Sequence, residues 1–82
     1  MLVMGINIDE EEKQFCKKFL RRKKFKFADV FEMISESVDG VFGDEYAPND
    51  FFVDRAVDRI LKKYKKLCRI RFDKKQRVWI VM

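Results

Sequence analysis

Eighty-two residues make one domain, near the lower end of what a single core can hold without staples. Nine Phe, with Trp79, Tyr46 and Tyr64, can fill that core, so no metal or disulfide is required, and the absence of His or of a CxxC pair excludes a zinc set and leaves no cofactor expected. A charged fraction of 40% with a net charge of +5 biases partners toward nucleic acid or other anionic surfaces.

In chain order, "MLVMGINI" is apolar but short, lacks a basic leader and runs into acids, which excludes a signal peptide or membrane span. Residues 1–8 are either a loose tail or an extra strand, which β-branched Val3, Ile6 and Ile8 permit. Asp9 begins a first helix as its cap, with Glu12 as capping-box partner. Ile8, Phe15, Cys16, Phe19 and Leu20 form its buried stripe; Gln14, Lys17, Lys18 and Arg21 point the other way. Acids at its start and "KKFLRRKK" at its end suit the helix dipole. "FKF" at 25–27 is one short strand. Asp29 with Glu32 opens a second helix, buried through Val30, Phe31, Ile34 and Val38 and ended by Asp39-Gly40.

The loop "VFGDEYAPND" follows, with Phe42 and Tyr46 expected to pin it to the core. Its acids with Asp39 lack the spacing of a calcium loop, so no metal is expected. Asn49 or Asp50 caps a third helix whose buried positions are Phe52, Val53, Ala56, Val57, Ile60, Leu61, Tyr64 and Leu67, the recurrence of one apolar face. Without Gly or Pro between, the pattern changes to period two in "RIRFDKKQRVWIVM", a β-hairpin. A three-residue loop, Lys74-Lys75-Gln76, sets Asp73 opposite Arg77, Phe72 opposite Val78 and Ile70 opposite Ile80. Ile70, Phe72, Val78, Ile80 and Met82 then share the buried face, and Arg69, Arg71, Arg77 and Trp79 the other.

Charge falls in blocks: −4 over residues 1–12, +8 over 13–26, −8 over 27–58 and +9 over 59–82. Two basic blocks around an acidic one predict a basic face assembled from distant segments. Cys16 and Cys68 read as buried thiols in a reducing compartment, the alternative being a disulfide between helices. The chain is expected to be intracellular.

This order of elements resembles the winged helix-turn-helix superfamily, an α+β fold of three helices with a short strand and a C-terminal hairpin, the wing. The resemblance covers residues 9–82: "DEEEKQFCKKFL", "FKF", "DVFEMISESV", "NDFFVDRAVDRILKKYKKL" and "RIRFDKKQRVWIVM" stand for its successive elements. The chain departs from the commoner pattern in its long second-to-third helix loop and in the acids of its third helix. The resemblance implies duplex DNA binding, with the third helix in the major groove and the wing on adjacent backbone or minor groove; such folds also dock proteins in assemblies.

On the third helix, Asp50, Asp54 and Asp58 oppose phosphate contact in the half that usually reads bases. Arg55, Arg59 and Lys62 are its candidate DNA contacts, weighed against a solvated face in which Asp58 and Lys62 pair. The wing is the stronger candidate: Arg69, Arg71, Lys74, Lys75 and Arg77 with Trp79 suit phosphate contact plus stacking, against the alternative of an edge hairpin protected by charge. Lys17, Lys18, Arg21, Arg22, Lys23, Lys24 and Lys26 form a second positive surface, which could add phosphate contacts, bind RNA or meet the acidic segment of another copy. Phe51 is expected to face outward under Tyr46. With no Gly-rich phosphate loop, and with Ser35 and Ser37 lacking a base at recognisable spacing, neither catalysis nor a small-molecule substrate is expected. The leading expectation is a transcriptional regulator binding duplex DNA; the rival is a protein-docking module or homodimer.

Overall fold

The computed structural model describes residues 1–3, 5–42 and 50–82, with residues 38–42 and 50 described as backbone. It is a small α+β fold with antiparallel sheets: β1 (Leu2–Val3), β2 (Ile6–Asn7), α1 (Asp9–Lys18), β3 (Lys24–Phe25), α2 (Phe27–Phe42), α3 (Asp50–Lys66), β4 (Ile70–Asp73) and β5 (Val78–Val81). β1 and β2 pair with each other, turning at Gly5, whose φ of 81° suits a residue without Cβ. The N-terminal segment is thus neither a tail nor an addition to the C-terminal hairpin; it is a separate ribbon that buries Val3 and Ile8 in the core.

The core is where the 3.6-residue periodicity places it. Phe52, Val53, Ala56, Val57, Ile60 and Leu61 of α3 are buried, with Val30, Met33 and Ile34 of α2 and Phe15 and Phe19 around α1. Each large apolar side chain fully removed from water contributes roughly 1.5–3 kcal/mol. Phe15 lies at its aromatic centre, its ring centroid 5.8 Å from Phe19, 5.6 Å from Phe25 and 5.3 Å from Tyr64. Leu67, expected on the buried stripe, is exposed because α3 ends one residue earlier, at Lys66.

Several helix ends differ from expectation. Asp9 does not cap α1: it is the first helical residue, and its carboxylate accepts from the Met1 ammonium while its own N–H donates to Asn7 Oδ1. Glu12 closes no capping box either; it turns toward α3. α1 stops at Lys18, so Arg21 to Lys24 leave the helix for a turn and β3. The strand is Lys24–Phe25 rather than 25–27, and α2 begins at Phe27, with Asp29 Oδ2 accepting from the Lys26 N–H. That is one half of a capping box, with the acid three residues inside the helix reaching back. α2 runs past Gly40 to Phe42; an internal Gly costs about 1 kcal/mol against Ala but does not forbid a helix. The proposed roles of Tyr46 and Asn49 fall outside the described residues.

α3 reaches β4 through Cys68, which takes φ 60°. Cys68 N–H donates to Lys65 O at 3.0 Å and Arg69 N–H to Tyr64 O at 2.9 Å. These two bonds form a Schellman motif, with a Cys in the left-handed position where Gly is usual. Both cysteines are free, Cys16 half-buried and Cys68 exposed, so neither the pair of buried thiols nor the disulfide holds.

The three-stranded sheet has the order β3-β5-β4. Its hairpin register differs by one residue from the one expected: Ile70 pairs with Val81, Arg71 with Ile80, Phe72 with Trp79 and Asp73 with Val78. The loop therefore has four residues, 74–77. Asp73 Oδ1 accepts from Lys75 N–H at 2.9 Å and Gln76 N–H at 3.3 Å, and Arg77 adopts φ 54° to re-enter the strand. The Asp side chain sets the turn, and the slip exchanges the faces of β5.

Candidate nucleic-acid interface

The corrected register decides what the hairpin offers. Phe25, Trp79 and Phe72 lie abreast across the three strands, and Trp79 packs half-buried against the core. Trp79 is therefore not the exposed aromatic among the bases. Phe72 is 41% exposed, but it alternates with Arg71 and so lies on the opposite face of the sheet, its ring 5.2 Å from Trp79. Arg71 lies beside Ile80 rather than Trp79, and Asp73 beside Val78 rather than Arg77. Of the five residues expected to share the buried face, Ile70 and Val78 are buried, Ile80 is half-buried, and Phe72 and Met82 are exposed.

The opposite face was not foreseen as a unit. Lys24 pairs with Ile80, whose other neighbour is Arg71, so two exposed cations flank one half-buried apolar residue. At a strand spacing of about 4.8 Å, their Cα atoms stand about 10 Å apart. Lys24 comes from the first basic block and Arg71 from the last. Their juxtaposition follows from β3 pairing with β5, a contact that charge patterning alone does not reveal.

The cations differ in whether they are already engaged. On α3, Lys62 Nζ lies 2.9 Å from Asp58, and the Arg55 guanidinium sits 5.1 Å from the centre of the Phe51 ring. Phe51 faces outward as expected; cover by Tyr46 lies outside the described residues. Arg59 is exposed and, like Arg69, Arg71, Lys74, Lys75 and Arg77, has no ion-pair partner among the described residues. Within the other block, Arg22 covers the Phe19 ring at 4.9 Å, while Lys17, Lys18, Arg21, Lys23, Lys24 and Lys26 are exposed.

A second polar group joins α1 to α3. Glu12 accepts from Lys63 Nζ and from the Tyr64 hydroxyl, the latter at 3.0 Å, and the same hydroxyl lies 2.9 Å from Cys16 Sγ. Burial, then the hydrogen bonds to Cys16 and Glu12, push the Tyr64 phenol well above its ordinary range. The hydrogen bond to Glu12 also raises Lys63. A cleft of about 460 Å³ opens here, lined by Asp9, Glu12, Lys13, Cys16, Lys17 and Tyr64. The Met1 ammonium lowers the Asp9 carboxyl. Nearby, Glu11 is buried at 5% exposure and accepts from the Ser37 hydroxyl at 3.2 Å. These groups tie helices together; no signal at their sequence separation marks them.

Among the described residues, no group of His, Cys, Asp and Glu is arranged to hold a metal, and no helix is long and apolar enough to cross a membrane. No protein-family model, curated protein or solved structure matches the chain.

Proposed function

We propose that this chain is an intracellular winged-helix protein that binds duplex DNA through its basic hairpin and the C-terminal half of α3, as a non-catalytic regulator of transcription. The observation that carries the reading is the set of five exposed hairpin cations, Arg69, Arg71, Lys74, Lys75 and Arg77, without an acid partner among the described residues. Two or three cations would protect an edge strand. Five in this small a hairpin repel one another, and a polyanion relieves that repulsion. The sheet order β3-β5-β4 and the two helices between β3 and the hairpin are compatible with the winged-helix resemblance. On α3 the reading rests on Arg59, with Arg55 and Lys62 able to turn from Phe51 and Asp58 toward phosphate.

In a titration of generic duplex, affinity falls steeply with salt, and Lys74→Ala and Lys75→Ala each reduce the log–log salt slope by about 1. Unchanged duplex binding after both substitutions would overturn the reading.

A docking module or homodimer is the second reading, favoured by exposed Asp54 and by Phe51, 51% exposed at the start of α3. It expects a dimer or partner complex by size exclusion and no duplex binding at low salt.

A further inference from the structure

We propose that the phosphate-binding surface is one track across the outer face of the sheet, running from Lys74, Lys75 and Arg77 at the hairpin tip, over Arg71, to Lys24 on β3. It rests on the nucleic-acid reading above and extends it to a strand, and to a basic block, that the hairpin alone does not include.

Strand register brings the track together. β5 is central, so Lys24 on one edge and Arg71 on the other flank the same residue, Ile80. Both alternate with side chains that point inward, Phe25 below Lys24 and Ile70 beside Arg71, and both of those are buried. Lys24 and Arg71 therefore face away from the core, on the same side. Their alkyl stems can cover the apolar floor of Ile80 while the charged heads stay in water. Neither has an ion-pair partner among the described residues. Two like charges about 10 Å apart on the two edge strands repel only weakly in water, but both attract an anion laid across Ile80 between them.

The same alternation selects the ligand. Phe25, Trp79 and Phe72 lie on the face opposite Lys24 and Arg71, where Phe72 is part-exposed, so the sheet stretch of the track presents cations without an aromatic platform. Binding of single strands relies on bases stacking on such rings. A surface of cations alone suits the backbone of a duplex, where phosphate contacts fix position and carry no base information. The track therefore binds duplex DNA with little regard to sequence.

The test is an anisotropy titration of the full chain with labelled duplexes of unrelated sequence, and with a single strand, over a range of salt. Lys24→Ala and Lys75→Ala are each expected to lower the salt slope by about 1, so that each variant loses about threefold less affinity than the wild type between about 50 and about 200 mM salt. Lys24→Arg keeps the charge and retains the wild-type slope. Lys13→Ala removes one positive charge from a lysine that lies 3.8 Å from Glu10 and leaves the slope unchanged. Circular dichroism of each variant checks that the fold is kept. If Lys75→Ala lowers the slope and Lys24→Ala behaves like Lys13→Ala, the track is overturned and the hairpin reading stands. If neither lowers it, both fall. Tighter binding of the single strand than of either duplex also overturns the track.

Discussion

Along the seam between α1 and α3, Lys63 is bound to Glu12, and Tyr64 shares a hydrogen bond with each of Glu12 and Cys16. On the outer face of the sheet and in the hairpin loop beside it, Lys24 and Arg71, and Lys74, Lys75 and Arg77, are exposed without acid partners among the described residues. Both regions are rich in Lys, Arg and polar groups, yet in one the charges hold helices together and in the other they repel. A count of bases along the chain does not separate the two; pairing does. The seam should therefore govern stability, and the sheet face binding.

The largest test of that division is Phe15→Ala. Phe15 is fully buried among Phe19, Phe25 and Tyr64, and its truncation is expected to cost about 3–5 kcal/mol. Against a total of roughly 5–15 kcal/mol for a domain, that leaves the protein close to unfolding. Substitutions of exposed sheet lysines should move stability by less than about 0.5 kcal/mol. Urea midpoints measure both. A Phe15→Ala protein as stable as the wild type, or a Lys75→Ala protein that unfolds, breaks the comparison.

A smaller effect separates the regions by pH. Tyr64 is raised from 10.0, chiefly by burial, and Lys63 from 10.5, chiefly by its hydrogen bond to Glu12. For a group whose pKa is higher in the folded protein, the stabilising contribution is fully present below the unfolded value and is lost as pH rises through the folded value. Stability should then decline from about pH 10 upward, and Tyr64→Phe should reduce the decline. Urea midpoints at about pH 9 and about pH 11 give the comparison. In a Tyr46→Phe protein, where Tyr64 is the remaining tyrosine, phenolate absorbance should appear above the ordinary value. Ionisation of Tyr64 at or below 10.0 would sink the account of the seam.

These regions were not equally legible in the sequence. The buried face of α3 could be read because its apolar residues recur at helical spacing between charged ones, and Phe52 through Leu61 are buried as the pattern requires. The hairpin register could not be read that way. "VWIV" at 78–81 is apolar at every position, so alternation does not say which pair faces the core. The decision falls to the turn, where the Asp73 carboxylate collects two N–H groups and Arg77 takes a left-handed conformation. The consequence reached the candidate site: Trp79, expected outside, packs against the core, Phe72, expected buried, is exposed, and Arg71 lies one strand from Lys24's partner. The seam was invisible for another reason, since Glu12 and Tyr64 are 52 residues apart and meet through packing.

Among the described residues, the two non-glycine positions in the left-handed region supply the finest test, because one lies outside the sheet face and the other at its tip. Cys68 and Arg77 have φ of 60° and 54°, where an L side chain costs roughly 1–2 kcal/mol and Gly pays no steric penalty. The greater chain entropy of Gly when unfolded offsets part of the gain, roughly 0.5–1 kcal/mol. Cys68→Gly and Arg77→Gly are therefore both expected to stabilise the fold by about 0.5–1 kcal/mol, a rise of a few degrees in Tm. Their effects on duplex binding should part. Cys68→Gly removes an exposed thiol at the α3–β4 junction and leaves the salt slope unchanged. Arg77→Gly is expected to lower the slope by about 1 if Arg77 meets a phosphate as proposed. Equal binding by the two variants would mean that the hairpin tip does not touch the duplex, and that its unpaired charge serves the edge strand alone.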